Sequence, residues 1–312
     1  MSEIVTVTMN PAIDVATSVD HVEATRKLRC KSVRRDAGGG GINVARVVRR
    51  LGRDVTAIYP AGGSMGRLLL RLVEEQQIDS AAIDVAEETR ENFTAFDEST
   101  GDQYRFVLPG PRLREHEWRR CLDALASLAH RLRFVVASGS LPLGVPDDFY
   151  AQVARCVAAR HAKTLLDTSG IALRKALTEG VFLIKPNLGE LRALTQAPLD
   201  TEHARVDACR RIIAAGGAEV VALSLGHEGA LLMTRDGAWR APALPVKTVS
   251  AVGAGDSFLG AMVWTLSNGE GLVDAFRCGV AAGSAALLTP GTELAYPEDI
   301  RRLVAEVSVT PI

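Results

Sequence analysis

The chain is poor in aromatic residues, at 5% of 312, and holds only five cysteines: Cys30, Cys121, Cys156, Cys209 and Cys278. They are scattered, odd in number and never spaced C-x-x-C, which argues against a disulfide framework and a zinc site; they read as reduced structural thiols. No apolar run approaches the ~20 residues needed to span a bilayer, and the opening residues hold no basic segment leading into an apolar stretch of signal length. A cytoplasmic protein with no membrane partner is expected. Neither charge dominates, with 36 Lys and Arg against 37 Asp and Glu, so no global field gathers nucleic acid. The expected partners are small molecules or a second copy of the chain. Basic pairs at Arg34-Arg35, Arg49-Arg50, Arg119-Arg120 and Arg210-Arg211 recur on helical patterns and read as solvated faces. A G-x-x-x-x-G-K-[ST] run is missing too, which excludes a Walker-type phosphate loop.

What the sequence does have is a hydrophobic fraction of 47%, rich in Ala, Val, Leu and Gly, the composition of a buried parallel sheet. Ile4 to Thr8 alternates as a first strand and stops at Asn10-Pro11. From Gly38 the pattern turns helical, with Ile42, Val44, Ala45, Val47, Val48 and Leu51 forming one apolar stripe that ends at Gly52. Strand and helix then alternate: Val55–Tyr59 with Met65–Glu75, Phe134–Ser138 with Asp147–His161, Thr164–Asp167 with Ile171–Leu177, and Phe182–Lys185 with Leu188–Leu194. Such βα units imply an α/β fold, a mainly parallel sheet with helices on both faces. The carboxy-terminal third continues with Val220–Ser224, a hairpin-like Ala230–Trp239, a helix after Gly253 and a long Ala/Gly-rich helix, Leu272–Leu288.

Two stretches break this rhythm, Lys27–Asp36 and Ala82–Leu108. In the second, Asn92–Phe96 and Gln103–Val107 flank the turn Ser99–Asp102. A small hairpin layer cannot bury both of its faces alone, so it is read as a lid over the main sheet and a clasp for a homodimer.

Three motifs carry chemistry. Ser250-Ala251-Val252-Gly253-Ala254-Gly255-Asp256 opens a helix, where glycine backbone N–H groups and the positive end of the dipole converge on an anion. An acid directly after those glycines is useful where a proton must be taken, which makes Asp256 a candidate base; the same acid would also be stabilised by the dipole with no catalytic duty. A dinucleotide fingerprint is disfavoured, because Phe258 holds the third glycine position and Asp274 lies in a helical pattern. In Gly38-Gly39-Gly40-Gly41-Ile42-Asn43 the backbone can approach a ligand closely, and Asn43 offers donors and an acceptor, a mixture that suits sugar hydroxyls; the alternative is a flexible turn entering a helix. Asp14 could accept from such hydroxyls or cap a helix. Lys185-Pro186-Asn187-Leu188-Gly189-Glu190 follows an apolar strand, where ligands of open α/β sheets bind. There Glu190 could meet Mg²⁺, or Asn187 and Glu190 could form a capping box. Ser224-Leu225-Gly226-His227-Glu228-Gly229 is a further strand-end turn.

Together these segments resemble the PfkB family of ribokinase-like sugar kinases over essentially the whole chain. The family's two signatures match Gly38–Arg46 and Val252–Gly260. Within the family the likeness is strongest to the branch that phosphorylates fructose 6-phosphate, through Lys27-Leu28-Arg29-Cys30, Gln103–Val107, Ser138-Gly139-Ser140-Leu141-Pro142 and Gly279–Ala286. Branches acting on fructose 1-phosphate or tagatose 6-phosphate usually carry G-G-K-G where this chain has Gly38–Gly41. The resemblance implies one kinase domain over 1–312, with lid strands from about 15–36 and 82–108. It implies ATP-dependent transfer to the C1 hydroxyl of fructose 6-phosphate, with Asp256 as base and Gly253, Ala254 and Gly255 as the anion hole. Asp14, Gly39 and Asn43 are then expected to hold the sugar, and Lys27, Arg90 and Ser140 its phosphate. Lys185, Asn187, Glu190, Ser224, Gly226 and Gly229 are expected to serve ATP and Mg²⁺. Ser250, Val252, Ala286 and Gly291 would surround K⁺, although Thr289-Pro290-Gly291-Thr292-Glu293 departs from the Asn- and Arg-containing version of that segment. The other readings are a tagatose-6-phosphate kinase, a 1-phosphofructokinase and a sugar-phosphate sensor without activity. The cationic set Lys27, Arg29, Arg90 and Arg105 around the lid favours a phosphorylated acceptor.

Overall fold

Runs of Val, Ile, Leu and Ala set the strands, and glycines and capping residues set the helix ends. The computed structural model describes residues 2–128 and 132–312. Its strands are β1 (Ile4–Val7), β2 (Ala12–Val19), β3 (Val33–Gly38), β4 (Thr56–Ala61), β5 (Asp79–Asp84), β6 (Arg90–Asp97), β7 (Gln103–Val107), β8 (Phe134–Ser138), β9 (Lys163–Asp167), β10 (Val181–Ile184), β11 (Ala218–Ser224), β12 (Ala230–Met233), β13 (Ala238–Ala241) and β14 (Thr310–Pro311). The helices are α1 (Gly40–Arg50), α2 (Gly63–Glu75), α3 (Glu115–Ser127), α4 (Phe149–Ala158), α5 (Gly170–Leu177), α6 (Leu188–Thr195), α7 (Glu202–Ala214), α8 (Ala254–Ser267), α9 (Leu272–Ala286) and α10 (Pro297–Val304).

The large sheet runs β14-β13-β12-β11-β10-β9-β8-β1-β4-β5. From β5 to β11 every pairing is parallel, and β12 to β14 add an antiparallel edge. Period-two alternation divides the core: β8 sends Phe134 and Val136 into one apolar layer and Val135 and Ala137 into the other. Both faces are therefore covered, as the near-continuous apolar strands require. The chain leaves β1 towards β4 and β5 on one side, and builds β8 to β11 on the other. The strand order reverses between β1 and β8, which opens a crevice at the carboxyl ends of the strands.

A second sheet, β3-β2-β6-β7, stands apart from the first. Strand β2 begins at Ala12, earlier than the pattern indicated, because Ala12–Val19 pairs residue for residue with Arg90–Asp97, and Ala12–Thr17 with Val33–Gly38. Residues 82–84 lie in β5 beside β4, in the large sheet and not in the small one. Within Lys27–Asp36 only the part from Val33 onwards is strand. Asp14 lies inside β2, so it caps no helix. Asp14 pairs with Asn92 on one face of the small sheet, while Phe93 pairs with Phe106 on the opposite face, their ring centroids 6.3 Å apart. Phe106 is 55% and Val33 52% exposed.

Small residues let α1 and α8 approach closely. A Cβ on Gly260 would lie 2.8 Å from Val47 Cβ and 3.3 Å from the Val44 carbonyl, a distance that neither helix backbone can relieve cheaply. Gly260→Ala is expected to lower stability by about 1–3 kcal/mol, read as a fall in the midpoint of thermal unfolding.

Candidate active site

The strand ends deliver the expected residues to the crevice. Ser138 closes β8 and leads into Gly139 and Ser140, Asp167 closes β9, Lys185 follows β10 and Ser224 closes β11. The amino ends of α1 and α8 point into the same space. Gly253 precedes α8 with φ 76°, a left-handed conformation favouring glycine, and a Cβ there would lie 2.4 Å from Leu294 Cδ2. Ala254, Gly255 and Asp256 form the first turn, whose N–H groups have no acceptor within the helix.

Asn43, three residues into α1, donates from Nδ2 to Asp256 Oδ2 at 2.8 Å. Burial pushes the Asp256 carboxyl up to about 6, and the nearby Asp167 adds to the rise; the Asn43 hydrogen bond and Lys185 oppose it. The Lys185 side chain is buried, with Nζ 3.2 Å from Asp167 Oδ2. A Cβ on Gly255 would stand only 3.1 Å from that same Nζ, so the ammonium lies over the first turn of α8. Burial works against its charge, but Asp167 and Asp256 together hold Lys185 above the ordinary lysine value.

On the lid side, Asn92 Nδ2 donates to Asp14 Oδ1 at 2.8 Å, and Asn10 Nδ2 donates to Ser140 Oγ at 3.0 Å. Asp14 is raised by burial against the pull of Asn92 and of Arg105, Arg46 and Arg90. Arg90 donates to the carbonyls of Asn10 (2.9 Å), Leu108 (3.0 Å) and Pro11 (3.4 Å), fixing its guanidinium beside the Asn10–Pro11 turn. Gly39 precedes α1. At Gly40 a Cβ would sit 2.1 Å from Ser138 Oγ and 3.3 Å from Asp256 Oδ1, so any side chain there would have to displace the Ser138 hydroxyl. Lys27 is exposed on the segment between β2 and β3, and no hydrogen bond or ion pair among the described residues ties it to Arg90 or Ser140. Of the residues read as a phosphate group, the fold gathers Arg90 and Ser140 at the Asn10–Pro11 turn and leaves Lys27 on the surface.

On the other side of Asp256, Asn187 and Glu190 form a reciprocal capping box, each accepting at 2.9 Å from the other's backbone N–H. Burial, with Asp167 close by, raises the Glu190 carboxyl. Asn187 also bridges to Ser224 at the end of β11, and the turn beyond carries Gly226 and Gly229. Behind the first turn of α8, Ser250 Oγ donates to the Gly291 carbonyl at 2.9 Å and accepts from Val252 N at 3.2 Å. Thr289 Oγ1 donates to the Ala286 carbonyl at 2.9 Å. Ser250, Val252 and Gly291 thus meet at one point, while the Ala286 carbonyl, at the end of α9, accepts from both the hydroxyl and the backbone N–H of Thr289.

Sequence reasoning passed over Asp167, Asn92, Asn10 and Arg46, which hold Lys185, Asp14, Ser140 and Asn43 respectively. Asp167 alone carried a signal, its place at the end of a strand already recognised; the others join segments far apart in the chain or lie inside an apolar helical stripe.

A model of the pfkB family carbohydrate kinase matches residues 5–299. An ATP-dependent 6-phosphofructokinase isozyme 2 of Mycobacterium tuberculosis is 48% identical over 299 residues, covering 96% of this chain and 88% of that protein. A 1-phosphofructokinase of Xanthomonas campestris is 34% identical, covering 98% and 97%. The solved phosphofructokinase-2 of Escherichia coli in complex with potassium superposes with a TM-score of 0.92 at 38% identity, covering 98% of this chain and 99% of its own.

The pair at the centre of the crevice gives a direct expectation. Titration of carbon-13-labelled aspartate carboxyls is expected to show Asp256 with an apparent pKa near 6, and Asn43→Ala to move that resonance to still higher pH, because the hydrogen bond favours the ionised form.

Proposed function

Because this chain belongs to the pfkB family of carbohydrate kinases, we propose that it is an ATP-dependent 6-phosphofructokinase, transferring the γ-phosphoryl of ATP to the C1 hydroxyl of fructose 6-phosphate to give fructose 1,6-bisphosphate. The observation that carries this reading is Asp256, hydrogen-bonded to Asn43 and seated at the amino end of α8 with the Lys185 ammonium over its first turn. As the C1 oxygen bonds to phosphorus and the bond to ADP breaks, Asp256 accepts the hydroxyl proton. The transition state of such transfers is loose, so positioning and charge stabilisation weigh more than strong basicity. The N–H groups of Gly253–Gly255 and Lys185 supply that stabilisation, while Asp14, Gly39 and Asn43 hold the sugar. Arg90 and Ser140 face its 6-phosphate, with Lys27 swinging in from the lid segment. Asn187, Glu190, Ser224, Gly226 and Gly229 line the nucleotide.

Among the described residues, no three His, Cys, Asp or Glu side chains gather to hold a metal by themselves. This suits a Mg²⁺ carried chiefly on the nucleotide's phosphates and waters, with Glu190 beside it. When bound, that ion neutralises phosphate charge. K⁺ is proposed beside Ser250, Val252, Ala286 and Gly291, the set that the family resemblance implies. Gly40 supports fructose 6-phosphate over fructose 1-phosphate or tagatose 6-phosphate, since those branches usually carry a lysine there, and in this chain Ser138 Oγ occupies the space where its Cβ would stand. The exposed apolar face around Phe93, Phe106 and Val33 supports a homodimer through the lid.

ATP consumption with Mg²⁺ and K⁺ is expected to show the highest kcat/KM for fructose 6-phosphate among fructose 6-phosphate, tagatose 6-phosphate, fructose 1-phosphate and fructose. Asp256→Asn is expected to cut kcat by at least ~10² while ATP affinity stays nearly intact; full turnover in that variant would remove the base. For the dimer, light scattering after size exclusion is expected to give twice the chain mass for the native protein and the monomer mass for Phe106→Asp.

A further inference from the structure

Helix α1 carries one arginine that is almost wholly buried. Arg46 is 2% exposed, in a helix whose other buried positions are Gly41, Asn43 and the apolar Ile42, Val44, Ala45, Val47 and Val48. An apolar residue of similar volume would spare the cost of desolvating a guanidinium, and burial does press the Arg46 charge downward against the support of Asp36. Its Nε finds no acceptor, so the side chain is not arranged for its own satisfaction. The two terminal nitrogens, by contrast, both have acceptors. Nη2 donates to Asp36 Oδ1 at 3.1 Å; Nη1 donates to the Ala37 carbonyl at 3.0 Å and to Asn43 Oδ1 at 3.3 Å.

Asn43 is the residue that holds Asp256. A carboxamide can be placed in two ways round, and only one turns Nδ2 towards a carboxylate. The reverse placement would set oxygen against the Asp256 carboxylate and an N–H against a guanidinium, which has donors only. Arg46, three residues further along the same face of α1, makes the choice from the far end of the amide. We propose that Arg46 is a positioning residue for phosphoryl transfer: anchored on strand β3 through Asp36 and Ala37, it fixes the Asn43 amide so that it donates to the catalytic carboxylate. This rests on Asp256 being the base.

The anchor extends further. Asp36 Oδ2 accepts from Thr292 Oγ1 at 2.7 Å and from Arg34 Nε at 2.7 Å, and Arg34 also pairs with Glu293. The segment Thr289–Glu293 is thereby tied to the lid strand and, through Arg46 and Asn43, to Asp256. The groups facing Asp256 are Asn43 on α1, Asp167 at the end of β9, Lys185 after β10 and Asp14 on β2. Of these, Arg46 hydrogen-bonds Asn43 alone and reaches Asp14 only through its charge.

The test uses Arg46→Met, Asn43→Ala and the double variant in the full chain, with kcat and kcat/KM for fructose 6-phosphate, KM for ATP, the pH profile of kcat from about pH 5 to 9, and thermal unfolding. Arg46→Met is expected to lower kcat/KM for the phosphosugar at least ~10-fold, leave KM for ATP within about two-fold, and move the acid limb of kcat up by about one pH unit. In the Asn43→Ala background it is expected to add nothing to either change. An unmoved limb, or losses that multiply in the double variant, would mean that Arg46 serves packing alone and would overturn the proposal. If Arg46→Met does not fold, Arg46→Lys and Asp36→Asn decide: the limb moves the same way in folded protein, or the proposal fails. Asp256→Asn separates the two readings, because full turnover there removes the base while the coupling of Arg46 to Asn43 is still read from KM for the phosphosugar.

Discussion

Two negative groups have to share one cleft: the Asp256 carboxylate and, in a kinase, the phosphoryl group arriving beside it. Placed side by side in a buried space they would repel strongly. The fold answers with three positive elements, the first turn of α8, the Lys185 ammonium and the donating amide of Asn43. Each comes from a different part of the chain. The glycines around Asp256 serve the same end, since Gly255 leaves room for Lys185 and Gly40 leaves room for Ser138 against Asp256.

Those parts meet because of the order in which the sheet is built. Running β4 and β5 out on one side of β1 and β8 to β11 out on the other brings the carboxyl ends of β1 and β8 together at the crevice. Ser138, Asp167, Lys185 and Ser224 then follow one another along the crevice as the ends of successive neighbouring strands. The parallel pairing that produces this row also forces both faces of the sheet to be covered. That is why α8 and α9 are rich in small residues and lie close together.

The small sheet is bound to this framework by charge as well as by chain connection. Asp36 on β3 gathers Arg34, Arg46 and Thr292, so one lid strand touches both the helix that carries Asn43 and the segment behind α8. Its opposite face keeps Phe93 and Phe106 in solvent. A sheet with one face over the crevice and one apolar face outward is suited to act on a ligand and a second copy of the chain together.

The βα alternation, the glycine-led helices at Gly39 and Gly253, and Asp256 itself were legible from local sequence, because periodicity, glycine and helix-start chemistry are set within a few residues. The extent of the lid was legible only in part: its strands were expected from about 15 and 82, whereas pairing with β6 and β3 starts β2 at Ala12, and residues 82–84 pair with β4 in the large sheet. What the tertiary structure alone decided is which side chains meet. Asp14 with Asn92 and Lys185 with Asp167 join segments whose spacing follows no motif, and the bond from Arg46 to Asp36 on β3 is set by the way α1 packs on that strand. A hydrogen bond is fixed by distances of a few ångströms, and only the order of strands in the sheet brings residues so far apart in sequence within that reach.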